Sequence, residues 1–233
     1  MNGPLLAASG LCKGFTLHLR GGLRLEVLRD LDLAVSAGEC LALSGPSGAG
    51  KSTLLRALYG NYRVDRGRIF IRHEGENIDL AAASPETILA VRRITLGYVP
   101  QFLRVIPRVP AIDIVAEQAL ARGAEPAAAR RSAAELLERL NIPPRLHALP
   151  PATFSGGEQQ RVNLARVFVC RWPILLLDEP TASLDSASRD IVAALIGEAK
   201  KAGSAIVCIV HDAPLSVAIA DRVLPLAPLR AAA

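Results

Sequence analysis

Aromatic residues are scarce in this chain and long apolar runs are missing. Its 233 residues include three Tyr, five Phe and one Trp, too few to build a base-stacking surface. The net charge of +5 comes mostly from arginines spread along the chain rather than clustered, so no nucleic-acid partner is expected. Half the residues are hydrophobic, yet no stretch approaches the roughly 18 apolar residues that would cross a bilayer. No direct membrane insertion is therefore expected. Met1-Asn2-Gly3-Pro4-Leu5-Leu6 lacks a basic segment ahead of an apolar core, so it does not read as a secretory signal. Cys12, Cys40, Cys170 and Cys208 are scattered, with no C-x-x-C pair for zinc or redox chemistry. They read as small buried hydrophobes of a reducing compartment, and a soluble cytoplasmic protein is expected. No repeat and no low-complexity linker interrupts the chain.

What is present begins at residues 45–53: Gly45-Pro46-Ser47-Gly48-Ala49-Gly50-Lys51-Ser52-Thr53, the pattern G-x-x-x-x-G-K-[ST]. Cys40-Leu41-Ala42-Leu43 reads as the strand that delivers this loop and Leu54-Leu55-Arg56-Ala57-Leu58 as the helix that leaves it. Successive backbone N–H groups and the positive end of that helix can hold phosphates. Lys51 would place a point charge on the outer phosphates from a solvent-facing loop, and the Ser52 hydroxyl could ligate Mg²⁺. ATP binding follows as the expectation.

Further along stand Phe154-Ser155-Gly156-Gly157-Glu158-Gln159-Gln160-Arg161 and Ile174-Leu175-Leu176-Leu177-Asp178-Glu179. With the phosphate loop, these motifs resemble the ATP-binding cassette (ABC) ATPases, and the resemblance covers nearly the whole chain. It implies that Phe15 stacks on adenine, that Gln101 is the glutamine of the Q-loop, and that Ser155-Gly156-Gly157 is the signature. It further implies that Ala182-Ser183-Leu184-Asp185 is the D-loop and His211 the switch histidine. Asp178 ends an apolar strand, where a carboxylate is costly unless it serves a cation. By resemblance it holds Mg²⁺ through water, with Ser52 and Gln101 completing the metal set. Glu179 would be the base for the attacking water, and His211 would orient the developing charge. Glu158 and Phe154 depart from the family's usual glutamine and leucine. Ser155 and Glu158 also form a capping box, and a carboxylate near a phosphate is tolerable only if it is turned away.

The implied fold is an α/β P-loop NTPase of the ABC nucleotide-binding type: a RecA-like core, an antiparallel β subdomain and a helical subdomain. One domain over 1–233 is expected, with the helical part at about 102–170. Leu31, Leu33 and Val35 alternate with polar or small residues, as in a half-exposed sheet. Ser84-Pro85-Glu86 opens a short helix, Ile94 to Val99 reads as a strand delivering Gln101, and Pro126 opens a helix ended by Asn141. The apolar runs Ile174–Leu177 and Ala205–Val210 read as strands of a parallel sheet covered on both faces.

In the family two cassettes pair head to tail, so a second ABC subunit is expected, as homodimer or heterodimer, with Asp185 along the interface. Tyr59-Gly60-Asn61-Tyr62, the segment 101–117 and residues 154–163 resemble the L component of the bacterial carbon–phosphorus lyase system. That branch implies the K component as dimer mate, the lyase core subunits as partners, and work in forming an alkylphosphonate ribosyl triphosphate. Arg104 and Arg108, between Pro107 and Pro110 or beside them, suit a docking segment there. Two alternatives stand beside it: the ATPase of a lipoprotein-release or macrolide-type exporter, and a nucleotide-gated assembly scaffold.

Overall fold

The architecture comes from a computed structural model, which describes residues 3–17, 22–103, 107–210 and 213–229. Two sheets form from two different hydrophobic patterns. Strands β1 (Leu6–Leu17), β2 (Leu23–Val35), β4 (Arg66–His73) and β5 (Glu76–Asp79) make an antiparallel sheet in the order β2-β1-β4-β5. One face is buried, as the alternation in β2 requires: Leu33 and Val35 are buried while Asp32 and Ala34 are exposed. Strands β3 (Cys40–Ser44), β6 (Leu96–Val99), β7 (Ile174–Asp178), β8 (Ala205–Ile209) and β9 (Arg222–Pro225) form the second sheet, ordered β6-β7-β8-β3-β9. Every pairing in it is parallel.

The central strands β7 and β8 are buried at every position, so neither face meets water. Successive side chains point to opposite faces, and each face has its own core. Leu175, Leu177, Ile206 and Cys208 join the cluster built with the helices, while Ile174, Leu176, Val207 and Ile209 join the one shared with the antiparallel sheet. The helices are α1 (Lys51–Leu58), α2 (Pro85–Ile94), α3 (Ala111–Leu120), α4 (Pro126–Arg139), α5 (Pro144–His147), α6 (Gly156–Phe168), α7 (Ser186–Lys201) and α8 (Ala213–Ile219). Helices α3, α4 and α6 bury Ile114, Val115, Ala129, Ala133, Leu137, Val162 and Ala165 together, which makes a helical lobe within the expected 102–170.

Ile94, expected in a strand, instead ends α2, and β6 starts only at Leu96. Ser84 caps α2 by accepting from the Thr87 N–H, Pro85 occupies its first turn, and Thr95 closes it with its N–H on Val91 O. That capped helix takes Ile94 before the strand can. Because β3, β6, β7 and β8 are parallel neighbours, their C-terminal ends lie side by side at one edge. This edge is where an open α/β sheet offers a ligand crevice, and four sequence-distant motifs meet there.

Candidate functional site

Residues 45–53 leave the C-terminal end of β3 and enter α1 at Lys51. Gly45 has φ 137°, and a Cβ there would lie 2.1 Å from Leu226 O, so the loop can pass the segment after β9 only as glycine. Pro46, Ser47 and Gly48 are exposed, Ala49 and Gly50 are buried, and Ser52 and Thr53 are partly buried. Lys51 departs from the expectation of a solvent-facing charge. It is 7% exposed and donates to Gly45 O at 2.7 Å and Pro46 O at 2.9 Å, so the loop wraps its ammonium group.

Asp178 ends β7 with no exposed surface. Ser52 Oγ donates to its Oδ1 at 3.0 Å, and Tyr98 Oη, from β6, donates to its Oδ2 at 3.3 Å. Burial raises the Asp178 carboxyl above its usual range; the two hydroxyls and Arg56 pull it back, and neighbouring Glu179 pushes it up. Burial and the charge of Asp178 likewise push the Tyr98 phenol to about 12. A fully buried carboxylate held by two hydroxyls, with no ion pair to it among the described residues, is a hard-oxygen site that fits a divalent cation. Among the described residues no cluster of three His, Cys, Asp or Glu side chains forms a metal cage. Such a cation would need further oxygens from elsewhere, as Mg²⁺ on a nucleotide has.

Glu179 follows directly, partly buried, with φ 52° and its N–H donating to Ile209 O at 3.2 Å. A non-glycine residue in the left-handed region costs energy and tends to sit at functional positions. Gln101, just past β6, donates from Nε2 to Glu179 Oε2 at 3.0 Å. Ser52, Gln101, Asp178 and Glu179 are thus brought together. His211 lies outside the described residues, as does Arg104. Phe15, on β1, is partly buried and meets Tyr62 edge to face with ring centroids 5.4 Å apart, and Lys13 Nζ lies 5.1 Å from its ring centre.

The start of α6 is exposed at Ser155 and Gly156. A Cβ on Gly156 would touch nothing within 4 Å, whereas one on Gly157 would lie 3.0 Å from Ser183 O. The capping box is complete: Ser155 N–H and Oγ both reach Glu158 Oε2, at 2.8 and 2.7 Å, and Glu158 N–H reaches Ser155 Oγ at 3.3 Å. The Glu158 carboxylate is therefore turned back on the cap rather than out toward an anion. Those Ser155 bonds lower its pKa. Asp185, exposed, caps α7 by accepting from Ser188 N–H at 2.7 Å, and this bond lowers its pKa.

Three residues went unnoticed in the sequence. Tyr98 bonds Asp178. Asn163 and Gln160, both buried in α6, donate to Pro100 O at 2.7 Å and Pro180 O at 3.2 Å, and so tie the signature helix to the loops carrying Gln101 and Glu179. The helical spacing 160–163 was the available signal, since polar residues on a buried face need partners. A cleft of about 640 Å³ opens beside Tyr98, lined by Arg56, Tyr62, Gln101 and Phe102, with Phe102 73% exposed.

The family model described as ABC transporter matches residues 28–182. The lipoprotein-releasing system ATP-binding protein LolD of Alcanivorax borkumensis is 38% identical, with 90% of this chain and 89% of that protein covered. LolD of Idiomarina loihiensis is 35% identical, with 93% and 92% covered. The macrolide export ATP-binding/permease protein MacB of Sodalis glossinidius is 35% identical over 91% of this chain, which spans about a third of that longer protein, 31%. The dimeric structure of the bacterial ABC transporter cassette MJ0796 superposes with a TM-score of 0.87 at 26% identity, covering 96% of this chain and 94% of the other. A post-hydrolysis dimer of the same cassette with ADP and Pi superposes at 0.86, with 27% identity and 97% of each chain covered.

These relatives overturn the carbon–phosphorus lyase reading, and with it the lyase core subunits and the K component as partners. The matches over most of the chain are lipoprotein-release and macrolide-export ATPases. Three residues of the segments behind that reading have local structural roles. Phe154 is buried in the helical core, Glu158 completes a cap, and Tyr59 packs on Tyr98.

Proposed function

The chain belongs to the ABC transporter family, and from that membership we propose that it is the ATP-hydrolysing subunit of an exporter-type system resembling those of lipoprotein release and macrolide export. In this reading it acts at the cytoplasmic face of a membrane, pairs with a second cassette and drives a separate membrane permease. The whole of 1–233 serves as one cassette domain, with the helical lobe carrying the signature. The observation that carries the proposal is the meeting of Ser52, Asp178, Glu179 and Gln101 at one edge of the parallel sheet, beside the phosphate loop.

Each residue then has a role. Backbone N–H groups of Gly45, Pro46's neighbours Ser47 to Gly50, and the Lys51 ammonium hold the phosphates, Thr53 follows Ser52 at the start of α1, and Phe15 lies toward the base. Ser52, Asp178 and Gln101 would hold Mg²⁺, which when bound offsets the charge that develops on the transferred phosphate. Glu179 takes a proton from water, and Gln101, bonded to it at 3.0 Å, orients its carboxylate. His211 is proposed to steady the terminal phosphate. Ser155, Gly156 and Gly157 present an exposed, positively polarised helix end to the nucleotide of the second subunit, with Glu158 held aside in the cap and Asp185 at the junction. The cleft bearing exposed Phe102 suits a permease, because a large apolar side chain in water gains by being covered.

Glu179→Gln is the test. It preserves shape while losing the base, so the variant should bind ATP, hydrolyse it at least about a hundredfold more slowly, and accumulate as an ATP-dependent dimer on gel filtration. Wild-type turnover in the variant would place the base elsewhere.

A further inference from the structure

Asp178 has one hydroxyl on each oxygen, and only one of the two comes from a motif read in the sequence. Ser52 Oγ takes Oδ1; Tyr98 Oη takes Oδ2 at 3.3 Å. Tyr98 is held from three sides. It is fixed on β6, its ring packs on Tyr59 with centroids 4.8 Å apart, and Arg56 faces its oxygen while donating to the Tyr62 hydroxyl at 3.0 Å. An arginine can only donate and an ionised carboxylate can only accept. The proton of the phenol between them is therefore directed at Asp178, in the order Arg56, Tyr98, Asp178.

Resting on the ATP reading above, we propose that Tyr98 is a positioning residue for the metal-site carboxylate. By occupying Oδ2 it sets the rotation of the Asp178 side chain, leaves Oδ1 and the Ser52 hydroxyl facing the nucleotide, and relays the charge of Arg56 into a pocket with no exposed surface at Asp178. Without it, no other donor among the described residues reaches the second oxygen of this carboxylate. The same carboxylate would then spread over several rotations, only one of which serves a cation.

The test compares Tyr98→Phe, which keeps the ring on Tyr59 and removes one oxygen, with the unaltered protein. Mn²⁺ is titrated into the ATP-bound protein and followed by electron paramagnetic resonance, and Mg²⁺ half-saturation of ATPase activity is measured in parallel. Both metal affinities should weaken about threefold to tenfold, the size of one ordinary hydrogen bond, as suits a contact of 3.3 Å, while ATP binding without metal stays within about twofold. Arg56→Met should shift metal affinity in the same direction by less, and the double variant should be weakened by less than the product of the two single effects, since part of the Arg56 effect passes through the Tyr98 hydroxyl and part is its own charge on Asp178. Unchanged Mn²⁺ affinity in a folded Tyr98→Phe, or full additivity in the double variant, overturns the proposal. If the unaltered protein binds neither ATP nor Mn²⁺ with ATP, the ATP reading itself falls, and this inference falls with it.

Discussion

Lys51 gives up much of its contact with water to sit inside its own loop, and the reason is local. Its ammonium donates to the carbonyls of Gly45 and Pro46, the second of which also accepts from the Ala49 N–H at 3.2 Å. Removing it does two things at once. Lys51→Ala would take a point charge away from a bound phosphate and leave Gly45 O without the ammonium, a loss costing about 1–3 kcal/mol, while Pro46 O keeps the Ala49 N–H at 3.2 Å. We expect ATP affinity to fall by at least about a hundredfold, with a melting point lower than wild type even without nucleotide. Isothermal titration and thermal denaturation report the two effects separately. An unchanged melting point would mean the ammonium does no structural work in the loop.

The helix that starts at Gly156 is held at its N-terminus by the reciprocal bonds of Ser155 and Glu158 and along its buried face by Asn163 and Gln160. Breaking the cap with Ser155→Ala should cost about 1 kcal/mol, or about 2–4 °C in melting temperature for a chain of this size. Glu158 adds a pH dependence whose sign follows from its lowered pKa. A depressed carboxylate stabilises above its unfolded value of 4.5 and loses that contribution as pH falls through its folded value. Glu158→Gln should thus be less stable than wild type at neutral pH, and the gap should close below pH 4.5. Melting curves across that range decide it. A gap that widens in acid would exclude the carboxylate cap as the cause.

Across the whole molecule one sheet divides two cores, and the buried apolar residues of β7 alternate between them. Leu176 and Leu177, adjacent on β7 and both fully buried, face opposite cores. Substituting either by alanine should cost about 2–5 kcal/mol, seen as loss of melting temperature. At the same scale, pairing and docking should separate from chemistry. Glu179→Gln isolated with ATP from detergent-solubilised membranes should retain an integral membrane protein that the ATP-free protein releases, because closure of the dimer is what nucleotide controls. Mass spectrometry of the retained material is the check. Recovery of soluble partners alone would remove the exporter reading.

Much of the site could be read from residue order, because phosphate binding needs particular residue types at fixed spacing: the glycines around Lys51, the serine after it, and the acidic pair after an apolar run. The two-sided burial of β7 and β8 was equally plain, since continuous apolar runs have no wet face. Ile94 was misread because a capped helix and an apolar strand compete for the same residue, and the cap at Ser84 decides for the helix. The branch reading, drawn from residues 59–62, 101–117 and 154–163, fell to the relatives, and in the structure Phe154, Glu158 and Tyr59 serve a core, a cap and a ring contact. Order alone gave the α/β class, the glycine-rich segment between a strand and a helix, and the acidic pair at the end of an apolar strand. Only the tertiary structure showed that Lys51 is wrapped, that Tyr98 reaches Asp178 across two strands, and that Asn163 and Gln160 tie the signature helix to the loops of Gln101 and Glu179. The Lys51 contacts are local, five and six positions apart, but the others join residues about 20 to 80 positions apart, and no periodicity within a segment encodes them; they exist because parallel strands bring their ends to one edge.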